Sequence, residues 1–207
     1  MGKILLVSDK EDKYIWDYFD KERFKDIDFI ISCGDLKASY LEFLVTMLNV
    51  PLFYVHGNHD GNYEQKPPQG CICIDNKLTK YKGIRILGFG GCNEYRGGAF
   101  QYTQKDMKKQ VSKMKRKIWL NKGFDILVTH APAKGLGDGE DLCHIGFEAY
   151  NELLDKYAPK YFFHGHQHLN YNREKRIIQY KSTTIVNAYK YYIINTPGVQ
   201  KLPYITD

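Results

Sequence analysis

The chain has 207 residues, a formal net charge of +6, and apolar and charged shares of 43% and 26%. The composition is that of a globular chain, and the length suits one domain, 1–207, since a single core keeps growing up to roughly 250 residues. No apolar run approaches the ~18 residues of a membrane helix and no basic stretch leads into an apolar one as a secretory leader would, so a cytoplasmic protein without a membrane partner is expected.

Ile4 to Val7 is an apolar run of strand type that stops abruptly at Ser8, Asp9, Lys10 and Glu11. A helix-period segment follows from Tyr14 to Arg23, then a strand from Phe29 to Ser32 that ends in "CGD" with Asp35. A helix from Tyr40 to Leu48 leads to a third strand, Leu52 to Val55, that ends in "HGNHD". This βαβαβ order predicts parallel strands joined by right-handed crossovers, with helices covering the sheet. Further strands are read at Ile84 to Phe89, Ile126 to Thr129 and Tyr161 to Phe163, the last two running into "THAP" with His130 and "HGHQH" with His166 and His168. From Thr103 to Asn121 the apolar Met107, Val111, Met114 and Ile118 recur at helical spacing, which puts the segment's lysines on an outer face. That face is either simply solvated or a surface for nucleic acid. A last helix is read from Gly146 to Tyr157, and the runs "RIIQY", "TTIVNAY" and "KYYIINT" predict antiparallel strands added to a second sheet. The five cysteines are odd in number and scattered, and they match neither redox nor zinc spacing.

Five strands in succession thus deliver Asp9, Asp35, Asn58-His59-Asp60, His130 and the His166/His168 pair to one sheet edge, where α/β proteins collect their function. Singly each has an ordinary explanation as a turn, a helix cap or a packed histidine. Together they read as a metal site of carboxylate, amide and imidazole ligands, which suits Mn, Fe or Zn better than a thiolate site would. His164 is expected to be structural, and His56 to be packed before its glycine turn or to assist the site.

The order of Asp9, "GD" at 34–35, "GNHD" at 57–60, His130 and "GHQH" at 165–168 resembles the calcineurin-like metallophosphoesterase family. "THAPAKGLGD" followed by "GFEAYNELL" further resembles the branch that includes small metallophosphodiesterases. The resemblance implies a four-layer αββα sandwich of two mixed sheets flanked by helices. It also implies two divalent metals, Mn first with Fe, Zn or Mg as alternatives, and a phosphodiester or phosphomonoester substrate. By position Asp35 would bridge the metals, Asp9 and His168 would hold the first, and Asn58, His130 and His166 the second. A shared hydroxide would attack phosphorus, with His59, backed by Asp60, as the catalytic group that steadies the transition state or protonates the leaving oxygen.

The chain departs from the family's Asp-x-His at Glu11. Glu11 could coordinate directly, could orient a water, or could belong only to the loop before the first helix. Arg96, in a glycine-rich loop that lacks dinucleotide spacing, and His144 are candidate substrate contacts. The competing reading, a non-catalytic metal-binding or protein-docking module on the same fold, rests on the missing histidine alone.

Overall fold

The computed structural model describes residues 2–169 and 175–196. Strand β1 (Gly2–Ser8) shows why the fold is layered. Its residues Ile4 to Val7 are fully buried, with Ile4 and Leu6 on one face and Leu5 and Val7 on the other. A strand buried on both faces sits inside a sheet covered from both sides. β1 lies between β2 (Ile27–Ser32) and β13 (Lys190–Thr196) in a five-stranded sheet that continues through β3 (Leu52–Tyr54) and β4 (Ile72–Cys73).

The second sheet has the order β11 (Ile177–Tyr180), β12 (Thr183–Asn187), β10 (Tyr161–His164), β9 (Ile126–Thr129), β6 (Ile84–Phe89) and β5 (Lys77–Tyr81). The short strands β7 (Cys92–Asn93) and β8 (Gln101–Tyr102) pair only with each other. Between the sheets Ile4, Leu6, Phe29 and Ile31 meet Ile126, Val128, Phe163 and Val186. Outside the first sheet, Leu5, Val7 and Ile30 pack under Tyr40, Leu41 and Leu44 of α2 (Ala38–Leu48). Outside the second, Phe89, Leu127 and Phe162 pack under α3 (Gln104–Leu120) and α4 (Glu148–Tyr157). The order of layers is therefore αββα, as the family resemblance implies.

On α3 the buried residues are Met107, Val111, Met114 and Ile118, and Lys108 reaches across to Glu152 of α4 at 3.0 Å. Met107 is fully buried and also receives the Tyr150 hydroxyl at its sulfur, 3.3 Å away. Met107→Ala is expected to cost about 2–5 kcal/mol, read as a lower urea midpoint with the slope unchanged.

Two expectations are corrected, and one strand goes unread in the sequence. The helix expected over Tyr14 to Arg23 is a single turn, α1 (Lys13–Trp16), followed by a separate 3₁₀ turn at Lys21–Phe24. Two aspartates compete there: Asp12 caps α1 through the Tyr14 N–H, and Asp20 restarts the chain by capping through the Glu22 N–H. The last three runs do not all join the second sheet in antiparallel fashion. β12 runs parallel to β10, and β13 crosses to the first sheet, antiparallel to β1. The crossing is made by Ala188, buried between the sheets, and by Lys190 in left-handed backbone, which the apolar pattern alone does not reveal. Finally β5 escapes sequence reading because only Leu78 of its five residues is buried.

Candidate metal centre

Every expected ligand lies at or just past a strand end on one edge. Asp9 follows β1, Asp35 follows β2, Asn58 follows β3, His130 follows β9, and His166 and His168 follow β10. Asp9, Asp35 and His166 all have left-handed backbone, at φ 64, 58 and 65. Such strain in non-glycine residues persists where surrounding structure over-determines it, and it collects at functional sites.

The loops approach so closely that glycine is required between them. A Cβ on Gly57 would lie 2.0 Å from Asp35 Oδ1, and one on Gly165 would lie 1.9 Å from Ser8 Oγ. The tight turns of "GNHD" and "GHQH" are thus conditions for the carboxylates to stand where they do. The His166 N–H donates to both Asp9 oxygens (2.9 and 3.0 Å), and the Gly165 N–H to the His130 carbonyl (2.9 Å). Asp60 Oδ2 accepts the N–H groups of Gly57 and Asp35, each at 2.8 Å, so Asp60 ties two ligand loops together. Burial and the Asp35 charge push the Asp60 carboxyl up to about 6 against those hydrogen bonds.

Asp35, His130 and His166 each offer a ligand atom, all within 4.8 Å of one another. His130 is fully buried; its Nδ1–H donates to the Cys33 carbonyl at 2.7 Å, which aims Nε2 at Asn58 Oδ1 (3.0 Å) and Asp35 Oδ2 (3.3 Å). His166 Nε2–H donates to the Cys143 carbonyl at 2.7 Å and leaves Nδ1 as its acceptor. Fixing the second ring nitrogen in this way is how proteins orient imidazole ligands.

Electrostatics agree with a cation site. Burial disfavours the Asp35 carboxylate, yet the His130 charge and hydrogen bond hold its pKa down to about 2. Burial likewise disfavours the His130 charge, and Asp35 still raises its pKa to about 9. Burial pushes the Asp9 carboxyl up. His166 is held neutral, at about 3, by burial and by the His130 charge. A single imidazolium proton at Nε2 faces two oxygens and satisfies them only in part. A divalent cation replaces that charge and accepts all the oxygen and nitrogen donors at once, so the set fits a divalent metal.

The remaining candidates line the surroundings. A cleft of about 400 Å³ is bordered by Asp9, Lys10, Glu11, Asp35, Lys37 and His59. The exposed His59 donates its backbone N–H to Asp35 Oδ1 at 2.8 Å. The exposed His168 packs on Tyr189 with ring centroids 4.9 Å apart. Glu11 pairs with Lys37 at 3.6 Å across the cleft, and the capping duty of the loop falls to Asp12. Arg96 lies over the Tyr95 ring, and the Tyr95 hydroxyl accepts the Asn58 amide N–H at 3.2 Å. His144 is oriented by Asp141 at 2.8 Å and stands 5.0 Å, centroid to centroid, from His166. His56 is packed: it pairs with Asp75 at 2.6 Å and stacks on Phe100 at 4.2 Å. His164 is buried outside the ligand set, and burial holds it neutral at about 4. Sequence reading missed the Cys143 carbonyl and the Asp60 tie, and only the proximity of Asp60 to "GNH" hinted at the second.

A family model described as calcineurin-like phosphoesterase matches residues 3–170. Lariat debranching enzyme A of Xenopus laevis is 24% identical over 213 residues, covering 74% of this chain and 39% of that protein. The lariat debranching enzyme of Homo sapiens is 24% identical over 204 residues, covering 70% and 37%. The chain thus spans under two fifths of the length of these curated relatives. Among solved structures, a Thermus thermophilus protein superposes with a TM-score of 0.57 at 15% identity, covering 91% of this chain and 89% of that one. A dimetal phosphatase from Danio rerio superposes with a TM-score of 0.54 at 11% identity, covering 90% and 86%. At such identities the likeness speaks for the fold.

Proposed function

The chain belongs to the calcineurin-like phosphoesterase family; we propose that it is a metal-dependent phosphoric ester hydrolase that works with two divalent ions and prefers phosphodiesters to monoesters. The observation that carries the dinuclear reading is the convergence of Asp35, His130 and His166 from three separate strand ends, beside Asp9 and under an open cleft. Asp35 has an oxygen for each side of the site. Asp9 and His168 would hold one ion, and Asn58, His130 and His166 the other. Ions bound there supply Lewis acidity, lowering the pKa of water so that it can attack phosphorus at neutral pH.

The chain's own residues do the rest. His59 stands at the cleft with its backbone pinned to Asp35, where its ring can steady the departing oxygen or hand it a proton. Asp60 holds the His59 loop against the Asp35 loop. Arg96 and His144 flank the site and offer a cation and a hydrogen bond to the non-reacting part of a diester. His59→Asn is expected to slow turnover by about 10²–10⁴ while metal content stays native, measured by rate assay and elemental analysis in parallel.

Glu11 is assigned to the Asp9 side, as a ligand or as the group that orients a water, because it lines the same cleft and has no capping duty. Metal content after Mn loading tests this together with the dinuclear reading. Two ions in the native chain and one in Glu11→Ala are expected. One or none in the native chain overturns the dinuclear reading, and two in both proteins removes Glu11 from the site.

A nucleic-acid diester is a second reading, favoured by Lys10 and Lys37 at the cleft and by the lariat debranching enzymes among the relatives. It predicts that hydrolysis of short oligonucleotides weakens steeply with salt; rates indifferent to salt would refute it. The docking-module alternative does not suit a chain that holds its ligand residues together.

A further inference from the structure

Asn58 is the one amide among the candidate ligands, with an oxygen at one end of its side chain and an NH2 group at the other. Only the oxygen has a lone pair for a cation, so the amide must be held the right way round. Asn58 is 9% exposed, and its Oδ1 lies 3.0 Å from His130 Nε2, the atom that also faces Asp35 at 3.3 Å. Its Nδ2 points the other way and donates to the Tyr95 hydroxyl at 3.2 Å. Among the described residues no other acceptor meets Nδ2. With Oδ1 engaged by His130 or by an ion, the buried NH2 group depends on that hydroxyl, because a buried donor left without an acceptor carries its full desolvation cost. Turned over, the amide would offer an ion hydrogens in place of a lone pair.

The loop that carries Tyr95 is built to keep the hydroxyl in place. It joins β7 to β8, and the Glu94 N–H donates to the Tyr102 carbonyl at 3.0 Å. Gln101 of β8 then reaches back along the loop, its Oε1 accepting the N–H groups of Tyr95 and Arg96, each at 3.2 Å. Gly97 turns the tip with a left-handed φ of 69. Tyr95 is partly buried and packs against the core beneath α3 and α4, so its ring is anchored while its hydroxyl reaches Asn58. The next residue, Arg96, is exposed, with its guanidinium 5.4 Å from the centre of the Tyr95 ring. One clamped loop thus presents two neighbouring side chains with different tasks, a hydroxyl turned to a candidate ligand and a cation turned to solvent beside it.

We propose that Tyr95 is a positioning residue of the metal centre: its hydroxyl holds the Asn58 amide in the orientation that presents Oδ1 to an ion. The role rests on the reading of Asn58 as a ligand. Removing a partner that orients a ligand costs about 10–100-fold in metal affinity. The test is calorimetric titration of Mn into the full chain, native, Tyr95→Phe and Arg96→Ala. Tyr95→Phe should weaken one ion by about that factor and leave the other native, whereas Arg96→Ala should leave both native. A second measurement, on the metal-free chain, reads the hydrogen bond itself. The side-chain amide resonances of Asn58, identified by their loss in Asn58→Asp, should exchange with solvent roughly tenfold faster or more in Tyr95→Phe. Native Mn affinity in Tyr95→Phe, or unchanged amide exchange, overturns the positioning role and leaves the metal centre standing. Equal weakening by Arg96→Ala overturns it too, since the effect would then belong to the loop and not to the hydroxyl. A native chain that binds no Mn overturns the metal centre first, and this role with it.

Discussion

Gly57→Ala is expected to cost about a hundredfold or more in turnover and to lower metal content, although it adds one methyl group. A Cβ at that position would meet Asp35 Oδ1 at 2.0 Å, Asp35 Cγ at 2.5 Å and the Asp35 backbone nitrogen at 2.6 Å. None of these atoms is the loose end of a flexible chain. Asp35 Oδ1 is held by the His59 N–H, and the Asp35 N–H is held by Asp60. Asp60 also binds the Gly57 N–H, so the two loops cannot part without losing both bonds. The carboxylate must therefore turn away, and an ångström of misplacement in a reacting constellation costs about 10²-fold. Overpacking of this kind also costs about 1–3 kcal/mol of stability, readable as a lower urea midpoint. Gly61→Ala is the control, since its Cβ would come no nearer than 3.3 Å to the Ala99 methyl. Native turnover and metal content in Gly57→Ala would show that the Asp35 position is not critical.

Asp35→Asn should be more severe, with turnover falling about a thousandfold or more, the upper end of what one electrostatic group contributes, and with loss of bound metal. The amide is nearly the same shape as the carboxylate, so the His59 N–H can keep its acceptor. What disappears is the negative charge facing His130 Nε2 at 3.3 Å. That charge is what keeps the fully buried His130 protonated up to about 9 against the pull of burial. Without it the candidate site has one anionic ligand fewer for a cation, and among the described residues no other carboxylate joins His130 and His166 in the 4.8 Å cluster. Far-UV circular dichroism should be unchanged, because Asp35 follows its strand and is not part of the core clusters. Full activity with full metal content would overturn the proposed bridging role of Asp35.

The parts of the fold and site that were legible share a physical signature. β1 was readable because burial on both faces forces an unbroken apolar run. The helix at 104–120 was readable because one buried stripe recurs at 3.6-residue spacing. The candidate ligands could be singled out because metal chemistry restricts residue type and tight turns restrict spacing, and the fold brings Asp35, His130 and His166 of that set together. What was not legible depends on groups that every residue carries. His166 is oriented by the backbone carbonyl of Cys143, and His130 by that of Cys33, contacts that leave no trace in residue identity. The crossing of β13 between sheets was hidden for a related reason. Ile193 and Ile194 would suit either sheet, and only the register with Leu5 and Ile4 decides.

That crossing has a kinetic consequence. Strand β1, which ends in Asp9, gains its second neighbour from Lys190–Thr196, close to the far end of the described chain. His166 then closes onto Asp9 across 157 positions of sequence. Contacts so distant in sequence form late and slow the search for the native state. A chain emerging from the ribosome can build its first three parallel strands early, yet β1 keeps an unpaired edge until β13 is made. Through that interval the edge is a template for pairing with another chain. Refolding should therefore show a slow phase in which helix content is native while metal capture lags behind, and that lag should shorten little with added metal.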